Sequence, residues 1–256
     1  MSVIKVLLFR LYVIIWSLLR VGSVVLLLPV FLAFVYGGVE FWQNRNRVYV
    51  PPDPVVCGKM AGNVYEFQRQ YFPFWPEYEG KSSLEPGFSN NKTGCDANLR
   101  SVFLAMTWPG LEPAEDRLFF EQGLEHEGLL VSISPIVAQE GDLPMLRKYW
   151  LSKIPKEAAA KIEYDVLLRL YRAEGFDLDW GYGRKIYLWS EKDGRITSIT
   201  KCLWQPKEPS FYSCKMTFVV FESLLVEATF LPEKLGQWSK IKTALVQFLI
   251  SRKLAR

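Results

Sequence analysis

Histidine is almost missing from these 256 residues: His126 is the only one, and it stands in the charged stretch Glu125-His126-Glu127. That scarcity removes most zinc chemistry, since no Cys-x-x-Cys pair and no His-Glu-x-x-His helix supplies ligand spacing either. A Ser-His-Asp triad would have to recruit His126 from what reads as an exposed turn. The Gly-x-Ser-x-Gly elbow and the Gly-rich phosphate loop do not occur. Internal repeats and low-complexity segments do not occur either. The sequence therefore assigns no catalytic residue, no cofactor site and no metal site, and it reads as a non-enzyme.

Net basic charge is also scarce once its source is located. The chain carries 31 Lys/Arg and 27 Asp/Glu; residues 1–47 hold five of the former and one of the latter, so 31 − 5 and 27 − 1 leave 26 of each sign beyond. A neutral remainder offers no field to neutralise phosphates, which excludes nucleic acid as a partner.

What the first 47 residues do hold is a long uncharged run. Val21–Val39 spans nineteen residues between Arg20 and Glu40. At about 1.5 Å rise per residue, that length matches the ~30 Å hydrocarbon core of a bilayer. Lys5, Arg10 and Arg20 lie before the run and Arg45 and Arg47 after it. With the terminal amine counted, the positive-inside bias leaves the N-terminus in the cytoplasm. Leu11–Leu19 is apolar but too short to cross alone, and continues the helix at the inner interface with Tyr12 and Trp16 as aromatic anchors. Val35-Tyr-Gly37 offers small residues at cleavage spacing, so a cleavable signal peptide stands as the alternative to an uncleaved anchor.

All four cysteines follow the run, at 57, 95, 202 and 214. An even number on one side of a bilayer suits an oxidising compartment. Cys202 and Cys214 are equidistant from Glu208 in a segment reading strand, Pro-rich loop, strand. A symmetric hairpin about that point sets their Cβ atoms face to face. Cys57 and Cys95 then pair by elimination.

The expected organisation is a signal anchor over 1–44, a stiff Pro-rich linker over 45–56 and an α+β domain over 57–256, with 57–160 and 161–256 as two candidate subdomains. Strands are expected at Val64–Phe67, Leu99–Thr107, Leu129–Val137, Tyr164–Tyr171, Lys185–Ser190, Ile196–Trp204, Cys214–Phe221 and Leu224–Phe230. Asp193-Gly194 is a strong hairpin turn signal. A helix is expected from Asp142 to Ile154, capped by Asp142 with Pro144 in its first turn. A final helix shows apolar residues at Leu235, Trp238, Ile241, Leu245, Phe248 and Leu249, one buried face. Its other face carries Lys234, Lys240, Lys242 and Arg252. The expected fold is thus an antiparallel β-meander with a packed C-terminal helix, preceded by one transmembrane helix.

Three surface features draw notice. Glu112–Glu127 is acidic, without the spacing of a calcium loop. Asn91-Lys92-Thr93 is a glycosylation sequon, relevant only in a eukaryotic secretory pathway. Aromatics make up 15% of the chain. Phe72, Phe74, Trp75 and Tyr78 gather in one Pro-flanked loop, and Trp180 and Tyr182 in another beside Tyr187 and Trp189. Rings among charges are what recognition surfaces concentrate, although most aromatics of a β-rich domain fill its core. Asp177-Leu-Asp179 places two carboxylates on one side of an extended segment. With Glu77, they are the residues an envelope polysaccharide hydrolase would use, although two acids before Gly181 read more simply as a turn.

Two stretches carry a resemblance. Tyr212-Ser-Cys214-x-Met216-x-Phe218 leads through a hairpin to Phe230-Leu-Pro-Glu-Lys-Leu235-x-x-Trp238-x-x-Ile241 and Val246-x-Phe248-Leu249. Upstream lie Phe74-Trp-Pro-Glu-Tyr-Glu-Gly80, Asn91-Lys-Thr-Gly-Cys95-Asp and Thr107-Trp-Pro109. Together these resemble bacterial immunity proteins encoded beside type VI secretion effectors, over about half of the soluble part. The resemblance implies a membrane-anchored periplasmic protein that binds and blocks a cognate toxic effector, protecting the cell that makes it. The chain departs from the lipidated members in lacking a lipobox cysteine. The expected partners are that effector and the inner membrane, held through residues 21–42, with the C-terminal domain in the periplasm. A structural scaffold of an envelope complex is the other reading.

Overall fold

A computed structural model describes residues 54–82, 84–114, 127–136, 141–159, 161–176, 184–204 and 213–254. The expected membrane span Val21–Val39 and residues 45–53 of its Pro-rich exit lie outside the described residues, while Val55 and Val56 at the end of the expected linker already belong to a strand. Among the described residues no helix is long and apolar enough to cross a membrane.

The described chain is organised by one antiparallel sheet. Its strands are β3 (Glu77–Tyr78), β4 (Leu99–Thr107), β5 (Gly128–Pro135), β6 (Glu163–Asp165), β7 (Leu170–Phe176), β8 (Arg184–Lys192), β9 (Arg195–Trp204), β10 (Ser213–Val220) and β11 (Leu224–Phe230). They lie side by side in the order β3-β4-β5-β11-β10-β9-β8-β7-β6. From β6 to β11 the chain runs as a meander, as the sequence predicts, and β11 then pairs with β5. A separate hairpin is formed by β1 (Val55–Met60) and β2 (Asn63–Gln68).

Alternation decides which side chains face which layer. Val102, Leu104 and Met106 of β4 stand in line with Ile133, Val131 and Leu129 of β5. Val226 and Ala228 of β11 extend these rows, and Phe218 and Met216 of β10 follow. This first face is buried under two lids that share its core: the β1–β2 hairpin through Met60, Tyr65 and Phe67, and the C-terminal helix. Gly58 lets the hairpin approach, since a Cβ there would meet Leu99 Cγ at 2.5 Å.

The C-terminal helix begins as a 3-10 turn, Pro232–Gln237, and continues as α3 (Trp238–Arg252), burying Ile241, Leu245, Phe248 and Leu249. The expected polar face is corrected. Lys234 is buried at 7% exposure. Lys242 donates to the Thr197 carbonyl at 2.9 Å, and Arg252 lies 5.0 Å over the Phe248 ring. Only Lys240 of the four stands exposed. Long aliphatic stems lie along apolar surface and carry their charge to a carbonyl or a ring, so a lysine on a helix does not by itself mark the wet side.

The second face has its own core, Leu143, Trp150, Ile154, Ala173, Tyr187, Trp189 and Ile199. It sits beneath α1 (Leu143–Leu151) and α2 (Lys156–Ala159). α1 starts where expected, the Asp142 carboxylate accepting from the Met145 amide at 2.9 Å with Pro144 in the first turn. Gly175 on β7 permits this lid to close, because a Cβ there would lie 2.9 Å from Ile154 Cβ.

One expected strand divides. Tyr164–Tyr171 is a hairpin in which β6 ends at Asp165, residues 166–169 turn, and β7 starts at Leu170. The Asp165 carboxylate accepts from the Leu168 amide at 2.9 Å, and Arg169 takes φ +56°. With Val166-Leu167-Leu168 in the loop and no glycine or proline, hydropathy reads straight through the turn.

The cysteines pair as expected. Cys57–Cys95 closes a separation of 38 residues, and Cys202–Cys214 one of 12. The second pair occupies directly opposed positions of β9 and β10, Cα atoms 4.0 Å apart. Both bonds point to an oxidising compartment.

Candidate partner-binding surface

Among the described residues the helices cover the second face along β7, β8 and β9, with Val219 of β10 at the margin of their core, and the remainder defines the candidate site. Two cross-strand rows show the change. One runs Phe103, Ser132, Glu227, Thr217, Ile199, Trp189, Tyr171, Tyr164 from β4 to β6. The next runs Ala105, Leu130, Thr229, Lys215, Lys201, Tyr187, Ala173. Beyond Ile199 the rows turn aromatic and lie under α1. On the β4–β5–β11–β10 side they mix Ser132, Glu227, Thr229 and Lys215 with Phe103 and Leu130, all partly exposed, around the buried Ala105 and Thr217, and no described helix packs on them.

At the border between the halves lysines collect. Lys215 and Lys201 are directly opposed on β10 and β9, and Lys215 Nζ lies 3.1 Å from Glu227 Oε2. Burial holds the Lys201 amine below the ordinary lysine value; the Lys215 charge adds to this and Glu227 opposes it. The Lys201 amine also stands 5.4 Å from the Trp150 ring, emerging from under the α1 lid. On β8, burial lowers Lys185 as well, and Lys201 and Lys153 add to the effect. The border is thus a partly desolvated cationic strip that favours an acidic group on whatever covers the bare half.

The aromatic loop at the β4 edge divides: of its four candidate partner-binding rings two are buried and two are presented. Phe72 and Tyr78 are buried in the first core, the Tyr78 hydroxyl donating to the Cys57 carbonyl at 2.8 Å. Phe74 and Trp75 stand out at 63% and 65% exposure. Arg69 holds the loop, donating to the Phe72 carbonyl at 2.8 Å while its guanidinium lies 4.9 Å over the Trp75 ring. Phe74 extends the bare face, its ring centroid 6.0 Å from that of Phe103. A rigid backbone showing two large rings is the arrangement of interface anchors.

Other sequence candidates fall elsewhere. Trp180, Tyr182, Asp177, Asp179 and His126 lie outside the described residues. Tyr187 and Trp189 are core. Glu77 on β3 accepts from the Ser101 hydroxyl at 3.3 Å. The Asn91 side chain is occupied on both sides, accepting from the Lys81 amide at 3.0 Å and donating to its carbonyl at 2.7 Å. Among the described residues no cluster of three or more His, Cys, Asp or Glu side chains is placed to hold a metal ion. Sequence reading missed Lys201, Lys215 and Glu227; the available signal was the hydroxyl-and-charge alternation of β5, β10 and β11.

No family model and no curated protein matches the sequence. Among solved structures the fold is similar to that of an immunity protein of the Stenotrophomonas maltophilia type IV secretion system, at 13% identity and a TM-score of 0.50. The match covers 79% of this chain and 94% of that one. At that identity the likeness is one of fold.

Proposed function

We propose that this chain is an immunity protein: it binds a cognate toxic effector in the periplasm and blocks it by occlusion, protecting the cell that makes it. The observation that carries the reading is the bare half of the second sheet face, bordered by lysines at its middle and by Phe74 and Trp75 at its edge. Such a face is built for burial against another protein. The disulfides and double-lidded core keep it rigid, which limits the ordering cost of association. The fold shared with a solved immunity protein supports the reading, and so does the sequence resemblance, which puts the effector on the type VI side.

In this reading residues 21–42 anchor the chain in the inner membrane with residues 57–256 on the periplasmic side. The anchor confines the inhibitor to a thin layer and raises its local concentration there. The experiment is a competition in which recipient cells lacking this gene are mixed with parental cells. Restoring the gene should rescue the recipients by at least tenfold in survival. Equal survival with and without the gene overturns the proposal.

A further inference from the structure

The largest exposures among large apolar side chains near the sheet's far edge belong to the β6–β7 turn. Val166 is 74% and Leu167 95% exposed, with Tyr164 and Ile162 about half exposed beside them. The turn's backbone is nevertheless fixed. Asp165 accepts from the Leu168 amide, and the Trp238 indole of α3 donates to the Leu168 carbonyl at 2.9 Å. Leu168 packs against the main core and Leu170 is buried within it. The Tyr164 ring meets Tyr171 edge-on at 5.1 Å, and Tyr171 stacks on Trp189 at 5.8 Å. Two bare aliphatic side chains are thus displayed on a locked, convex tip, with a packed base behind them.

We infer that the β6–β7 tip is a second contact element, a preformed apolar knob that enters a concave apolar cleft of the effector. This rests on the immunity reading above and adds to it where the partner is engaged. Charge and size select a protein cleft as the occupant. The flanks balance, with Lys161 and Arg169 against Glu163 and Asp165, so there is no basic cluster to seek anionic lipid. A tip showing two aliphatic side chains, flanked by the half-exposed Ile162 and Tyr164, is far smaller than the ~20–30 residues and ~800 Å2 per partner of a stable self-association. It is, however, the size of an anchor at the centre of a larger contact, and its fixed backbone leaves little entropy to lose on docking.

The test uses the full chain in recipients mixed with parental cells. The double variant V166D/L167D should keep both disulfides and the wild-type melting temperature, yet lower recipient survival at least tenfold. I250D, changing an exposed apolar residue of α3, should protect like wild type. A photoreactive residue at position 167 should give a protein adduct only when parental cells are present. If the wild-type chain gives no protection, the immunity reading falls and the knob with it. If wild type protects and the folded tip variant protects equally, only the knob falls. An adduct to lipid alone, or to a second copy of this chain, also overturns it.

Discussion

The two halves of the second sheet face are built from adjoining strands and differ in what stands between the core positions. On β8 the run Ile186-Tyr-Leu-Trp-Ser190 is buried without interruption, because both faces of that strand are covered. On β11 burial alternates strictly, Val226 and Ala228 inside, Leu225, Glu227 and Thr229 half-exposed. The same backbone serves as closed core from Trp189 through Ile199 to Thr217 and as a partly exposed surface from Glu227 onward. Whether a helix covers a strand is therefore written in the residues between the inward-facing ones.

The strongest way to break this comparison is to truncate one ring in each half. Trp189→Ala in the covered half should cost about 3–5 kcal/mol of stability in denaturant unfolding. Phe103→Ala, half-exposed on β4, should cost under about 1.5 kcal/mol. Equal losses would mean that the bare half is packed as tightly as the lidded one.

A somewhat smaller effect probes the seam between the halves. Cys202–Cys214 joins β9 to β10 across the border, and both cysteines are fully buried. Replacing both by Ala should cost about 3 kcal/mol from the lost loop closure. The loss should fall evenly on both halves, seen as coincident far- and near-ultraviolet unfolding transitions. Separate transitions would show that the halves are not one cooperative unit.

These contrasts also explain what could be read in advance. Leu99–Thr107 was legible to the residue as a buried strand stopped by Trp108-Pro109, and Leu224–Phe230 as an alternating strand ended before Pro232. The Cys202–Cys214 bond was legible because hairpin symmetry about Glu208 fixes the register. The hairpin at Asp165–Arg169 was not, since its turn is made by one carboxylate and a positive φ inside an apolar string. Nor were the roles of Phe72 and Phe74: two positions apart in a Pro-rich loop, they part because the loop bends around Arg69. The fate of Lys234 was hidden because its charge argues for water, although it stands four and seven residues before Trp238 and Ile241 and so shares the buried side of the helix.

The bare half yields a prediction that is small in stability and large in function. Trp75→Ala should shift the unfolding free energy by less than about 0.5 kcal/mol, because the ring is mostly in water. It should nevertheless lower protection in the competition with parental cells. The outcome that refutes the surface assignment is unchanged protection from a Trp75→Ala, Phe74→Ala chain that is expressed and oxidised normally.

The smallest effect lies at the border itself and concerns pH. Lys201 is opposed to Lys215 across the strands, has Trp150 above it and shares Glu227 as the nearby carboxylate, while Lys185 and Lys153 lie on the α1 side. Burial lowers its folded pKa below the 10.5 of the free side chain. The unfolded chain therefore binds more protons than the folded one between the two values, and stability rises with pH through that window. Below the folded value the charged amine is a standing cost, relieved once it can lose its proton in place. Wild type should accordingly gain on Lys201→Met as pH climbs toward 10.5, with no disulfide exchange to confuse the comparison, since no cysteine is free. If the difference between the two chains stays flat with pH, Lys201 is solvated like any surface lysine, and the border between lidded and open sheet lies nearer to Trp189 than to Lys215.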